Sequence, residues 1–134
     1  MNDRFIEFNN REKIKRENNN LIKEKSYTFA LLTIDLYKFL IKKGEFVLSK
    51  QILKSGTSIG ANIEEAQASQ SRKDFLSKIS IASKEARETL YWLKLLKESN
   101  LIENYPKEND LFTEINSIIN ILTKITKTTS KTLK

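Results

Sequence analysis

Histidine and cysteine are both absent from this 134-residue chain, and it holds only three glycines and one proline. Without cysteine there can be no disulfide, no thiolate metal site and no cysteine nucleophile. Without histidine the chain lacks the side chain that titrates near neutral pH and the commonest transition-metal ligand. Ser-His-Asp hydrolysis, zinc hydrolysis and Glu-x-x-His di-iron chemistry fall together. The expectation is a protein that is not an enzyme and carries no metal and no cofactor. The shortage of turn formers disfavours a many-stranded fold and suits a few long helices. The opening Met1-Asn2-Asp3-Arg4 has no apolar signal-peptide core, and no apolar run approaches the ~20 residues of a membrane span. A cytoplasmic protein with no membrane partner is expected.

Charge is what the chain has in plenty. Charged residues make up 31% of it, and 24 basic against 17 acidic side chains give a formal net charge of +7. A basic chain is attracted to polyanions such as RNA and DNA, although the same charge can serve solubility alone. Residues 1–23 are rich in Asn, Lys, Arg and Glu, with the run Asn18-Asn19-Asn20 and few apolar side chains. This composition predicts a flexible polar N-terminal arm, partly helical at most, ahead of a bundle over 24–127. Residues 128–134 are expected to form a frayed C-terminal tail.

Four helical patterns fill the middle. The first spans about Ser26 to Lys43 and stops at Gly44, a C-capping residue behind two lysines that suit the helix dipole. It carries two apolar stripes, Tyr27, Leu31, Ile34 and Ile41 beside Phe29, Leu32, Leu36 and Leu40. Together they make an arc wider than one core face needs. The second helix begins near Phe46 or Ser49 and reaches Ala68. Gly56 and Gly60 lie in its small-residue centre, where each costs about 1 kcal/mol relative to alanine. Close approach of a neighbouring helix explains them as packing residues; a break in the helix is the alternative. The third runs from Ser71, where Ser71-Arg72-Lys73-Asp74 resembles a capping box, to about Ser99 with Asn100 as C-cap. The fourth runs from Asn109 or Asp110 to Thr126 on the stripe Leu111, Ile115, Ile118, Ile119, Leu122 and Ile125. Short loops between four amphipathic helices predict an all-α, antiparallel up-down-up-down four-helix bundle.

The stretch Ser49 to Leu96 is more specific than its periodicity. Ser49-Lys50-Gln51-Ile52-Leu53-Lys54-Ser55-Gly56-Thr57-Ser58-Ile59-Gly60-Ala61-Asn62-Ile63-Glu64-Glu65-Ala66 precedes Ser71-Arg72-Lys73-Asp74-Phe75, then Lys84-Glu85-Ala86-Arg87-Glu88-Thr89 and Tyr91-Trp92-Leu93. With Ile34-Asp35-Leu36-Tyr37 and Gly44-Glu45-Phe46 upstream, these motifs over roughly 26–97 resemble the bacterial four helix bundle protein family. That family includes proteins encoded by intervening sequences in 23S rRNA genes. The resemblance implies a homo-oligomer, a pentameric ring in known relatives. Related accessory proteins of diversity-generating retroelements imply nucleic acid and a reverse transcriptase as partners. One local departure is Ala66, where many members have glycine.

Several side chains are candidates for function. Asn62, Glu65, Arg72 and Arg87 are candidates for a polar cluster between the second and third helices, either fixing helix register or holding a phosphate. The pairs Glu64-Glu65 and Glu85/Glu88 read as surface glutamates, since general acid–base work needs a carboxyl held dry and raised in pKa. Segment 71–97 carries a surplus of four positive charges. Lys50, Lys54, Arg72, Lys73, Lys78 and Lys84 are therefore the candidate nucleic-acid-binding set, which a ring would repeat in every subunit. Tyr91 and Trp92 suit packing or an interface better than base stacking. The Gly56/Gly60 pair lacks the strand–loop–helix context and the lysine of a phosphate loop. The other function class is a protein–protein interaction module with no nucleic-acid partner.

Overall fold

The computed structural model describes residues 2–132, so Met1, Leu133 and Lys134 of the two expected terminal segments lie outside it. Four helices follow one another: α1 Asp3–Lys42, α2 Leu48–Gln67, α3 Arg72–Glu98 and α4 Glu108–Thr132. Each packs on its two neighbours around a square, and among the described residues no backbone approach within 8 Å between Cα atoms joins either diagonal pair. That is the up-down-up-down bundle the pattern predicts.

The helix ends show why the chain turns where it does. Gly44 takes φ +87°, and the Gly44 and Glu45 amides bond back to the Ile41 and Leu40 carbonyls. Asn100, at φ +61°, repeats this device at the end of α3, with the Asn100 and Leu101 amides on the Lys97 and Leu96 carbonyls. Ser71 caps α3 by accepting from the Asp74 amide at 3.0 Å. The Glu45 carboxylate caps α2, accepting from the backbone amides of Val47, Leu48 and Ser49 at 3.2, 3.0 and 2.7 Å. Burial opposes ionisation of Glu45, but the three N–H groups outweigh it and hold its carboxyl below the usual range.

One row of large side chains from each helix fills the core: Ile22, Phe29, Leu36 and Leu40; Ile52, Ile59 and Ile63; Ile79, Leu93 and Leu96; Leu111, Ile115, Ile118 and Leu122. Of the two stripes on α1, only the Phe29–Leu36–Leu40 one faces inward. Small residues let α1 and α2 approach closely. A Cβ built on Gly56 would stand 2.6 Å from both Cγ2 and Oγ1 of the buried Thr33. One on Gly60 would meet nothing nearer than the Ser26 carbonyl oxygen at 3.4 Å. α2 is unbroken through both glycines, which removes the helix-break alternative. Between α2 and α3 the buried hydroxyls of Ser55 and Thr89 share a 2.9 Å hydrogen bond that fixes register.

The first helix is longer than the hydrophobic pattern predicts. It begins at Asp3 rather than Ser26, with Asn2 as N-cap accepting from the Arg4 amide at 3.0 Å. The polar segment read as a separate arm is thus the first part of α1. Lys, Arg and Glu are good helix formers, and the i,i+3 and i,i+4 pairs Glu12–Lys15 and Lys13–Glu17 add to them. Forty residues give α1 a length of about 60 Å, twice that of the twenty-residue α2. Ser26 already lies beside Gly60, so α1 continues well past the α2–α3 turn. α4 overruns that turn too, reaching Thr132 rather than fraying after residue 127. The bundle therefore ends in a two-helix prong.

Candidate nucleic-acid interface

α3 turns one face to the core through Ile79, Ala82, Ala86, Thr89, Leu93 and Leu96. The 3.6-residue period then places Lys73, Ser77, Ser80, Lys84, Arg87, Tyr91 and Lys94 on the opposite face. All of these are exposed except Ser80, which is half-buried. The stripe is about 31 Å long and contains four cations; the exposed Glu88, four residues after Lys84, borders it, and the exposed Glu98, four residues after Lys94, follows it. Tyr91 is 56% exposed, with its ring edge-on to the half-buried Trp92 at 5.1 Å between centroids. It thus stands out of the bundle, available to an interface or to a stacked base.

The six cations singled out by sequence do not form one patch. Lys73 and Lys84 share the outward face of α3. Lys78 leans toward α2, its ammonium 3.9 Å from the Glu65 carboxylate. Lys50 and Lys54 are exposed on α2, and Lys54 lies close enough to Glu85 to act on its charge. Arg72 occupies the first turn of α3 and lines a hollow at the end of the bundle. Arg87 and Lys94, outside that set, complete the α3 stripe.

The expected cluster of Asn62, Glu65, Arg72 and Arg87 does not assemble. The Asn62 amide donates to its own helix at the Ser58 carbonyl, 2.8 Å away. Among the described residues no hydrogen bond or ion pair joins Asn62 or Glu65 to either arginine. Register is the reason: with Ser55 opposite Thr89, the residue level with Glu65 is Lys78. Arg87 lies about 13 Å further along α3 and Arg72 about 9 Å the other way.

Glu85 departs from the plain surface glutamate its sequence suggests. Burial, followed by the neighbouring Glu88 charge, pushes its carboxyl up, while Lys54 pulls the other way. At the far end, Tyr105 in the α3–α4 connection donates a 2.5 Å hydrogen bond to Asp35 of α1, and Lys107 approaches the same carboxylate at 3.5 Å. The Tyr105 bond, aided by Lys107 and Lys38, outweighs desolvation and holds the Asp35 carboxyl low. Burial, then the bond and charge of Asp35, raises the Tyr105 phenol. These groups pin a loop; no sequence spacing joins them. Among the described residues no group of three or more acidic side chains is placed to hold a metal, and no helix is long and apolar enough to cross a membrane.

The second exposed feature is apolar. Tyr27, Leu31 and Ile34 point away from the core of α1, with Tyr27 69% and Leu31 53% exposed. Beside them a hollow of about 180 Å³ runs along the α1–α2 seam over Ala30, Thr57, Gly60 and Ala61. Phe46 and Val47 are exposed in the α1–α2 connection.

The model of one family, described as 23S rRNA-intervening sequence protein, matches residues 18–124. The chain belongs to that family. Its bundle is similar to the crystal structure of a protein of unknown function in the S23 ribosomal protein family of Bacteroides thetaiotaomicron. The two are 48% identical with a TM-score of 0.78, over 82% of this chain and 98% of the other. No curated protein matches. The family span covers the α3 stripe and the apolar face of α1, and leaves the first part of α1 and the end of α4 outside.

Proposed function

We propose that this member of the 23S rRNA-intervening sequence protein family is a non-catalytic scaffold. Copies associate into a pentameric ring and bind RNA, DNA or a ribonucleoprotein through basic helix surfaces. The observation that carries this is the separation of surface chemistry across the bundle diagonal. The exposed apolar stripe lies on α1 and the predominantly cationic stripe on α3, helices at opposite corners of the bundle. Contiguous exposed apolar surface of this kind is stabilised by a partner, and a second copy supplies it by symmetry. Association through α1 leaves the outward face of α3 open, and a ring repeats that face in each subunit. Lys73, Lys84, Arg87 and Lys94 then act on the phosphate backbone together, with Tyr91 offering a ring face to an unpaired base.

Light scattering of the purified protein, with and without a structured RNA at low and moderate salt, tests this. The expected result is an oligomer mass that grows on adding RNA and returns to the protein-only value as salt rises. Loss of RNA binding on replacing Lys84 and Lys94 by glutamate places the contact on α3. A monomer indifferent to RNA refutes both halves of the proposal. An oligomer indifferent to RNA at every salt concentration leaves a protein–protein interaction module.

A further inference from the structure

The prong of α1 and α4 encloses two adjoining hollows of about 240 and 360 Å³. Lys15 and Arg72 line the smaller hollow and Arg11, Lys15 and Lys131 the larger, and among the described residues no carboxylate lines either. Among the described residues only Lys15 has an ionic partner, Glu12 at 3.4 Å on its own helix. Asn18, Asn19 and the half-buried Phe75 line the smaller hollow with Lys15 and Arg72, and Asn18 lines the larger one as well. Arg11, Lys15 and Lys131 all lie outside the family span of residues 18–124, while Asn18, Asn19, Arg72 and Phe75 lie within it.

From this groove we infer a binding site for one nucleotide unit of a single-stranded nucleic acid. Arg11, Lys15 and Lys131 hold the phosphate in the larger hollow, and in the smaller one Phe75 lies against the base beside Arg72. The inference deepens the nucleic-acid proposal above and rests on it. Four cations along two adjoining hollows, with no acid among the described lining residues, suit a polyanion. The aromatic residue and the two amides in the lining favour a nucleotide over an acidic peptide: a base has a face to stack and an edge of donors and acceptors that Asn can match. The hollows have room for a splayed base and its phosphate, not for a stacked duplex. An unpaired strand end held here at the tip of each bundle gains a second anchor beyond the α3 stripe.

Fluorescence anisotropy with a labelled single-stranded oligoadenylate, titrated with salt on the full-length protein, tests the site. One variant carries Arg11→Gln with Lys131→Gln; another carries Lys84→Gln with Lys94→Gln. All four side chains are exposed and without an ion pair among the described residues, so folding is not at stake. The groove variant is expected to bind about tenfold more weakly at low salt, with a salt slope shallower by up to about 0.7, the value for one lost phosphate contact on a single strand. Phe75→Leu is expected to weaken binding with the slope unchanged. If the groove variant binds like the wild type while the α3 variant is weakened, the groove inference is overturned and the nucleic-acid proposal stands. If the wild type binds no oligonucleotide, the nucleic-acid proposal fails and takes the groove with it. If an oligoglutamate peptide binds the wild type and loses affinity in the groove variant while oligoadenylate does not, the occupant is an acidic protein segment and the inference is overturned.

Discussion

Replacing Gly56 by alanine measures how closely α1 and α2 are packed. The new Cβ would stand 2.6 Å from two side-chain atoms of Thr33 and 3.1 Å from its Cβ. Rotating Thr33 gives no escape, because its own Cβ is already too near and its hydroxyl is bonded to the Phe29 carbonyl at 2.9 Å. Forcing a methyl into a packed core costs about 1–3 kcal/mol, while removing glycine from a helix interior returns about 1 kcal/mol. The net expectation for Gly56→Ala is a loss of about 1 kcal/mol, with a ceiling near 2. At this chain length that lowers the melting temperature by about 3–5 °C. Gly60→Ala provides the contrast: its Cβ makes ordinary contact with Ser26, so helix propensity wins and the variant is as stable as wild type or more so. Urea unfolding at one fixed protein concentration reads both, since association shifts apparent stability. A cycle with Thr33→Ala should recover about 1 kcal/mol of the Gly56→Ala loss, because the two side chains compete for one space. If Gly56→Ala is neutral, or its effect simply adds to that of Thr33→Ala, the close approach does not hold.

Three further outcomes follow from other parts of the molecule. Glu45→Gln should cost about 1 kcal/mol, since the charge-assisted cap of α2 weakens. The folded carboxyl of Glu45 is depressed, so its contribution is full above the unfolded pKa and disappears as pH falls through the folded value; the acid limb of a pH-stability curve should flatten in Glu45→Gln. Tyr105→Phe removes the largest influence holding the Asp35 carboxyl down, so an NMR titration should find Asp35 ionising at higher pH, with a stability loss of about 1 kcal/mol. Tyr27→Glu combined with Leu31→Glu adds charge to the exposed face of α1; light scattering should report a smaller assembly while circular dichroism keeps its helical signal.

Four helices, their order and most of their ends are legible in the chain. Gly44 and Asn100 punctuate α1 and α3 because each can adopt the left-handed backbone that a helix exit needs. Ser71 is readable as a cap because its spacing to Asp74 is local. The start of α1 is less legible: residues 3–21 form a helix without a hydrophobic period, and composition alone resembles an unstructured tail. Glu45 as the cap of α2 also escapes notice, since glutamate is not a usual capping residue and acts here through a turn of particular shape.

The candidate site divides along the same line. The cationic character of α3 is written in its sequence, as is the absence of histidine and cysteine chemistry. Which cations act together is not. Lys78 is drawn to Glu65, Arg72 joins Lys15 from residues far away in the chain, and Arg87 leaves its expected cluster for the stripe with Lys84. A helical period places side chains around one axis but does not say how far a neighbouring helix is shifted along its own. That shift is set by the Ser55–Thr89 hydrogen bond and the fit of Gly56 against Thr33. The sequence alone thus determined the helices, their amphipathic faces and the overall charge, because these depend on neighbours within a turn or two. Register, the choice of which apolar stripe on α1 is buried, and the groove between the first part of α1 and the end of α4 were decided only when the helices packed.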